Sequence, residues 1–184
     1  TGVVTPIKDI AKVVHDAGAL LVVDAVTSLG GVQLEVDAWD IDVCYSGTQK
    51  CVGAPPGLAP ITFGERAIHA MTNRTTKVQS FYLDMTALRD YWQQRVYHHT
   101  APISMIYSLR EALRLVLDEG LENRWRRHAT NAEALIAGIE AMGLRIVANS
   151  AFRLPSLTAV YSPDGIPEST VRKYLLENFN IEVS

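Results

Sequence analysis

The first third of the chain alternates between helix-type and strand-type hydrophobic patterns. Apolar residues recur at helical spacing over 7–17, and Gly18 follows as a helix stop. The continuous apolar run over 19–23 ends at Asp24, and its length is typical of a strand that is covered on both faces of a parallel sheet. Two further strands are predicted on either side of a loop rich in glycine and proline, over 41–45 and 58–63.

The rest of the chain is richer in helices. Asp84 is expected to cap a helix that runs to about Gln93. Amphipathic helices are predicted over 104–118, 121–142 and 168–178, and short strands over 144–148 and 156–161. The change of pattern near Gly120 predicts a part of an α/β domain with a mostly parallel sheet over 1–120 and the start of a smaller α+β domain over 121–184.

The ends of the chain predict a piece of a longer protein. The sequence begins at Thr1 without an initiator methionine. Residues 180–183 have the pattern of a strand that has only just begun. We therefore expect further segments of the same protein on both sides.

Composition excludes several classes of function. The 184 residues are 48% hydrophobic and 20% charged, with a net charge of −3 and no lysine or arginine block, so nucleic acid is not the expected partner. Apolar runs are far shorter than the roughly 20 residues that span a bilayer. Cys44 and Cys51 match no zinc or disulfide pattern. We expect a cytoplasmic protein without a metal site.

Two charged residues are isolated in otherwise uncharged stretches. Asp24 is the only charge over 17–34, and Lys50 is the only charge over 43–64. Asp24 ends one predicted strand, and Lys50 lies in the loop after another. Ligands of open α/β sheets bind at the carboxyl ends of strands, so both residues are candidates for a binding site.

The two residues suit carbonyl and ring chemistry, although other interpretations are open. A desolvated lysine amine attacks a carbonyl carbon to form a Schiff base. A carboxylate that pairs with a cationic ring nitrogen keeps that ring protonated and electron-withdrawing. Alternatively, Lys50 is a solvated charge and Asp24 a turn former, or Asp24 binds Mg²⁺ in a P-loop NTPase, whose G-x-x-x-x-G-K-[ST] motif the sequence lacks.

Several motifs resemble one enzyme family in collinear order. They are DAVTSLGG at 24–31, YSGTQK at 45–50, GAPPG at 53–57, YHHT at 97–100 and YSLREAL at 107–113. The chain resembles the class V aminotransferases of fold type I, which use pyridoxal phosphate. Within them it is most similar to the alanine–glyoxylate and serine–pyruvate branch.

The resemblance implies roles for individual residues. Lys50 would hold pyridoxal 5'-phosphate as a Schiff base and then move a proton between substrate and cofactor. Asp24 would pair with the pyridinium nitrogen, Val26 would pack against the ring, and Gln49 would lie at the phosphate. The arginine that binds the substrate carboxylate is expected beyond Ser184, and the first phosphate-binding loop before Thr1.

The resemblance also implies a homodimer with a shared active site. Tyr97 and Thr100 would reach the cofactor phosphate of the neighbouring subunit. Between them lie His98 and His99, which look like a metal-binding pair. On an extended segment adjacent side chains point to opposite faces, so we do not expect a metal there.

The reaction implied is transfer of an amino group from alanine or serine to glyoxylate or pyruvate. Other class V activities stay open, namely those of cysteine desulfurase, kynureninase and phosphoserine aminotransferase. No cysteine follows Cys51, which argues against a desulfurase. We expect small amino acids and 2-oxo acids as the partners.

Overall fold

The computed structural model describes residues 1–184 as a mixed α/β chain. The helices are α1 (Ile7–Asp16), α2 (Glu65–Thr72), α3 (Met85–Gln94), α4 (Ile103–Glu119), α5 (Leu121–Ala141) and α6 (Glu168–Phe179). The strands are β1 (Val22–Asp24), β2 (Val43–Tyr45) and β3 (Ile61–Phe63). A single 3-10 turn covers Ser150–Phe152. None of the helices is both long and apolar enough to cross a membrane.

The three strands form one sheet in the order β1-β2-β3. β1 and β2 are parallel, and Asp24 pairs with Tyr45 at their carboxyl ends. β2 and β3 are antiparallel. The sheet of this chain therefore has one parallel and one antiparallel pairing. The antiparallel pairing arises because the chain returns through an irregular loop after Tyr45, and not through a crossover helix.

The core lies on one face of this sheet. Val23 and Cys44 point into it, and α1 covers them with Ala11. The expectation that the strand over 19–23 is covered on both faces is wrong for this chain, because Val22 is 59% exposed on the opposite face. Successive strand residues alternate between faces, so Asp24 is exposed together with Val22.

A buried carboxylate joins α1 and α2 to the sheet. Asp42 is 1% exposed and accepts hydrogen bonds from the backbone N–H of Leu21, from Nε2 of His15 and from Nε of Arg66. Burial by itself would raise the pKa of Asp42, but these hydrogen bonds and the Arg66 charge outweigh it and lower the pKa. Asp42 thus stays ionised where it anchors the start of β2.

The helix boundaries follow local sequence signals. Asp84 caps α3 as predicted, because its Oδ1 accepts hydrogen bonds from the N–H groups of Thr86 and Ala87. Gly120 stands between α4 and α5 with a φ of 79°, a backbone conformation that favours glycine. The predicted helices at 7–17, 104–118, 121–142 and 168–178 are confirmed to within about two residues. The sequence did not predict α2.

The chain divides into two compact units. One unit is Pro6–Arg124, and the other joins Thr1–Thr5 with Trp125–Ser184. The division into a large and a small domain at residue 120 stays a prediction. Inside the second unit, the strands predicted over 144–148 and 156–161 reduce to one antiparallel bridge between Ile146 and Val160, and residues 180–183 form no strand.

Candidate active site

The carboxyl ends of β1 and β2 bring Asp24 and Tyr45 side by side. The two residues are register partners on the parallel strands. The Tyr45 hydroxyl donates a hydrogen bond of 2.9 Å to Oδ2 of Asp24. The backbone N–H of Val26 donates one of 2.8 Å to Oδ1. Each carboxylate oxygen therefore has one protein donor, which fixes the plane of the group and leaves each oxygen a further lone pair.

The pair also has a defined protonation pattern. The hydrogen bond to Asp24, together with the negative charge of that carboxylate, raises the pKa of Tyr45. The phenol therefore keeps its proton at neutral pH and acts as the donor. The arrangement presents an oriented carboxylate at the sheet edge, which is the chemistry that binds a cationic N–H group.

Lys50 lies five residues after β2 on a closed turn. The N–H of Gly53 donates a 2.9 Å hydrogen bond to the carbonyl of Lys50. Thr48, which is fully buried, stabilises this turn. The N–H of Ala54 donates a hydrogen bond to the Thr48 carbonyl, and Oγ1 of Thr48 donates one of 2.7 Å to the carbonyl of Pro55. The loop is irregular but internally bonded, so the backbone at Lys50 has a defined place.

The side chain of Lys50 is exposed, as is that of Gln49. No carboxylate lies within ion-pair distance of Lys50, in contrast to Lys12, which pairs with Asp16. The sequence therefore isolates Lys50, and the structure leaves its amine available to a ligand. Val26, two residues after Asp24, is half-buried.

The other two predicted site residues form a separate pair. Tyr97 is 75% exposed, and its hydroxyl lies 3.1 Å from Oγ1 of Thr100. Neither residue makes a hydrogen bond with Asp24, Gln49 or Lys50. The structure thus brings Asp24 together with Val26, and Tyr97 together with Thr100. The assignment of all six residues to a cofactor stays a prediction.

The geometry assumed for the two histidines is wrong. Nδ1 of His98 and Nδ1 of His99 are 2.9 Å apart, with the rings nearly perpendicular at 88°, so the two side chains do not point to opposite faces. Arg95, three residues before His98, has a φ of 58°, and His98 is buried and stacked on Phe81 with ring centroids 4.3 Å apart. The pair packs the turn, and no group of three metal-ligating side chains occurs in the chain.

Two residues near the site were missed by sequence reasoning. Tyr45 holds Asp24, and Arg124 donates a hydrogen bond to the carbonyl of Cys51, next to Lys50. Strand alternation indicates that Tyr45 faces the same side as Val43, but the register against β1 cannot be read from the pattern. No signal in the sequence links Arg124 to a residue 73 positions earlier.

The sequence profile described as aminotransferase class-V matches residues 1–184, the whole chain. The chain belongs to the class V aminotransferase family. This membership confirms the resemblance on which the site was predicted. It also removes the basis for interpreting Asp24 as the Mg²⁺ ligand of a P-loop NTPase.

Relatives of this class V chain include two glyoxylate transaminases. It is 40% identical to the (S)-ureidoglycine–glyoxylate transaminase of Bacillus subtilis and 42% identical to the alanine–glyoxylate aminotransferase of Callithrix jacchus. Both matches cover all of this chain, and 49% and 46% of the relatives. The class V chain thus spans about half the length of the curated relatives it matches.

A solved structure matches the same fold. The crystal structure of an alanine–glyoxylate aminotransferase from Nostoc sp. superposes with a TM-score of 0.96 at 48% identity, over all of this class V chain and 49% of that one. The chain therefore has an α/β fold that matches a fold-type I aminotransferase over about half its length. This agreement confirms the predicted fold class at that level.

Proposed function

We propose that the protein is a pyridoxal phosphate-dependent transaminase that transfers an amino group from alanine or serine to glyoxylate or pyruvate. One observation carries the proposal: Asp24, held by two donors, and the turn with Lys50 both follow the carboxyl ends of paired parallel strands. This is the edge at which open α/β sheets bind ligands. Membership of the class V family and the similarity to two glyoxylate transaminases support the choice of reaction.

The residues at this edge fit the chemistry of the cofactor. Asp24 would accept the N–H of a pyridinium ring, and the amine of Lys50 would bond to the aldehyde carbon. Val26 would lie against the ring face and Gln49 near the phosphate. When bound, pyridoxal phosphate supplies an electron sink that stabilises negative charge on the substrate carbon.

Lys50 would carry the proton during the reaction. A lysine amine is a base only when it is neutral, and enclosure by a ligand that displaces water favours that form. The amino group of the donor would displace Nζ of Lys50 from the aldehyde carbon, and the freed Nζ would accept the proton from the α-carbon of that donor. In the second half of the reaction it would return a proton to the α-carbon derived from the acceptor. General acid–base transfer of this kind contributes about 10²- to 10⁴-fold to a rate.

Asp24 would stabilise the ring N–H through its negative charge, and Tyr45 would orient the Asp24 carboxylate through its hydrogen bond. A positioned carboxylate stabilises a ring N–H without having to reorganise during the reaction. The raised pKa of Tyr45, caused by its hydrogen bond to Asp24, keeps the phenol as a donor through the neutral range. Tyr45 is thus a positioning residue for Asp24.

The proposed active site is completed by a second copy of the chain. Tyr97 and Thr100 have hydroxyls 3.1 Å apart, and two such groups can donate to neighbouring oxygens of one phosphate. We place this pair at the cofactor phosphate of the partner subunit in a homodimer. Exchange of Tyr97 for phenylalanine should then weaken cofactor binding without changing which amino donors react.

Borohydride reduction tests the role of Lys50 in the full-length protein. The reduced protein is digested, and the mass of each lysine-containing peptide is measured. We expect a pyridoxyl group on Lys50 and none on Lys12, whose exposed amine is paired with Asp16. Lys50→Arg should keep the charge, abolish labelling and lower kcat by at least about 10³-fold. An unlabelled Lys50, or an active Lys50→Arg enzyme, contradicts the proposal.

Substrate profiling tests the reaction assigned to the site. Alanine, serine, (S)-ureidoglycine, aspartate and phosphoserine are compared as donors, each with glyoxylate and with pyruvate as the acceptor. We expect alanine or serine to give the highest kcat/KM with glyoxylate or pyruvate. A clear preference for (S)-ureidoglycine would contradict the proposed amino donor but not the proposed role of Lys50. A preference for phosphoserine would place the enzyme in another branch of the family.

A further inference from the structure

The Arg124 side chain reaches the backbone next to Lys50. Arg124 lies in the first turn of α5 and its side chain is 13% exposed. Nη2 donates a hydrogen bond to the carbonyl oxygen of Cys51, and Nη1 forms a 2.8 Å ion pair with Oε2 of Glu119 at the end of α4. The guanidinium therefore ties the residue after Lys50 to the junction of two helices.

Two glycines flank the contact between Arg124 and the turn. Gly53, which closes the turn onto Lys50, has a φ of +80°, and a Cβ at this position would lie 3.8 Å from Nη2 of Arg124. A Cβ at Gly30 would lie 3.8 Å from the Cys51 carbonyl oxygen. Gly30 and Gly53 therefore flank the hydrogen bond, and a methyl group at either position would only just reach ordinary van der Waals contact with it.

Apolar residues also anchor the same turn. Val52 and Ala54 are buried, and they form a cluster with Ala112 of α4. Lys50 itself is exposed. The turn is therefore anchored by the buried side chains of Val52 and Ala54 and by the hydrogen bond of Arg124 to Cys51, while the Lys50 side chain stays exposed.

We propose that Arg124 is a positioning residue that sets the direction in which Lys50 leaves the turn. The inference rests on the proposed function, because the direction of the Lys50 side chain affects the reaction only if Lys50 is the catalytic residue. A hydrogen bond from a charged group to a carbonyl is stronger than one between neutral groups. It fixes the Cys51–Val52 peptide, one residue beyond Lys50, and so limits how far the backbone that directs Nζ can move. A displacement of about 1 Å at a reacting group can lower a rate about 100-fold.

Three variants of the full-length protein test this role. Arg124→Met removes the donors and keeps the aliphatic stem, and Arg124→Lys restores one charged donor. Arg114→Met is the matched control, because Arg114 lies on α4 and forms ion pairs with Glu111 and Asp118 but is 51% exposed and makes no hydrogen bond with the turn. Each variant is prepared without and with pyridoxal phosphate.

Amide hydrogen exchange in the cofactor-free protein is the first measurement. The N–H groups of Gly53 and Ala54 donate to Lys50 and Thr48, so their exchange reports opening of the turn. We expect exchange about tenfold faster in Arg124→Met, an intermediate rate in Arg124→Lys and the wild-type rate in Arg114→Met. Equal rates in Arg124→Met and the wild type overturn the proposal.

Binding and kinetics of the loaded enzyme are the second measurement. Arg124→Met should weaken pyridoxal phosphate binding about tenfold and lower kcat by about 10- to 100-fold, with little change in KM for the donor. Arg124→Lys should recover part of both losses. A residue that served only the helix junction would lower Tm and leave kcat of the folded enzyme unchanged, and that outcome also overturns the proposal.

The two proposals fail in different ways. If borohydride labels Lys50 but Arg124→Met behaves as the wild type, only the role of Arg124 is contradicted. If Lys50 is not labelled in the wild type, the proposed function is contradicted, and the role of Arg124 falls with it.

Discussion

Asp24 and Tyr45 face each other across the parallel strands β1 and β2, and the Tyr45 hydroxyl donates a 2.9 Å hydrogen bond to Oδ2 of Asp24. The bond joins residues 21 positions apart. Its partner on the same carboxylate is the N–H of Val26, which is part of the local turn. The register of β1 against β2 therefore places one hydrogen-bond donor at the proposed ring-binding carboxylate, and the turn after β1 places the other.

Tyr45→Phe should weaken binding of pyridoxal phosphate and lower kcat, each by about fivefold. The substitution removes one charge-assisted hydrogen bond to Asp24 and keeps the ring, so the carboxylate stays charged but is less well oriented. Spectroscopic titration of the cofactor-free full-length protein with pyridoxal phosphate, followed by steady-state kinetics, measures both effects.

Asp24→Asn is the reference for this prediction. It removes the charge that Tyr45 only orients, so its losses should exceed those of Tyr45→Phe by at least about tenfold. Equal losses in the two variants would mean that Tyr45 contacts the cofactor itself. Unchanged binding in Tyr45→Phe would show that the Val26 N–H is sufficient to hold the carboxylate.

Asp42→Asn should lower the free energy of unfolding by about 3 kcal/mol at pH 7. The side chain is buried, and the substitution leaves Arg66 and the Leu21 N–H with a neutral partner in place of a charged one. Urea unfolding monitored by circular dichroism measures the change. Asp16→Asn is the control, since its pairing with Lys12 is exposed and should contribute less than about 1 kcal/mol.

The same carboxylate predicts a loss of stability in acid. Hydrogen bonds and the charge of Arg66 overcome burial and lower the pKa of Asp42 from its ordinary value of 3.8. Its stabilising contribution is therefore complete above pH 3.8 and is lost as the pH falls through the lower, folded-state pKa. Unfolding measured between pH 7 and pH 2 should show a smaller acid-dependent loss in Asp42→Asn. Parallel curves for the variant and the wild type would contradict this assignment.

Gly57→Ala should destabilise the loop that follows Lys50 more than Gly18→Ala destabilises the end of α1. Gly57 has a φ of +131°, which side-chain-bearing residues rarely adopt, and its added Cβ would overlap the Met105 sulfur. Gly18 also has a positive φ, of +69°, but its Cβ would meet open space. We expect costs of about 2–3 kcal/mol and about 1 kcal/mol. Thermal unfolding measures both, and equal costs would mean that Met105 moves aside freely.

All the helices except α2 were predictable from the sequence, because their signals are local. The cap at Asp84 and the stop at Gly120 act within a few residues, and the apolar period repeats over several turns. The strand predictions over 144–148 and 156–161 were less successful. A strand exists only when a partner accepts its hydrogen bonds, and in this chain that pairing amounts to one bridge, between Ile146 and Val160.

By itself, the sequence determined every helix except α2, the family, and the two residues that dominate the proposed chemistry. Asp24 and Lys50 were identifiable because a single charge in a long uncharged stretch is a local property of the chain. Only the tertiary structure decided what holds them: the register that places Tyr45 beside Asp24, and the fold that brings Arg124 to the turn of Lys50. Such supports depend on which distant segments meet, and hydrophobic periodicity carries no information about that pairing.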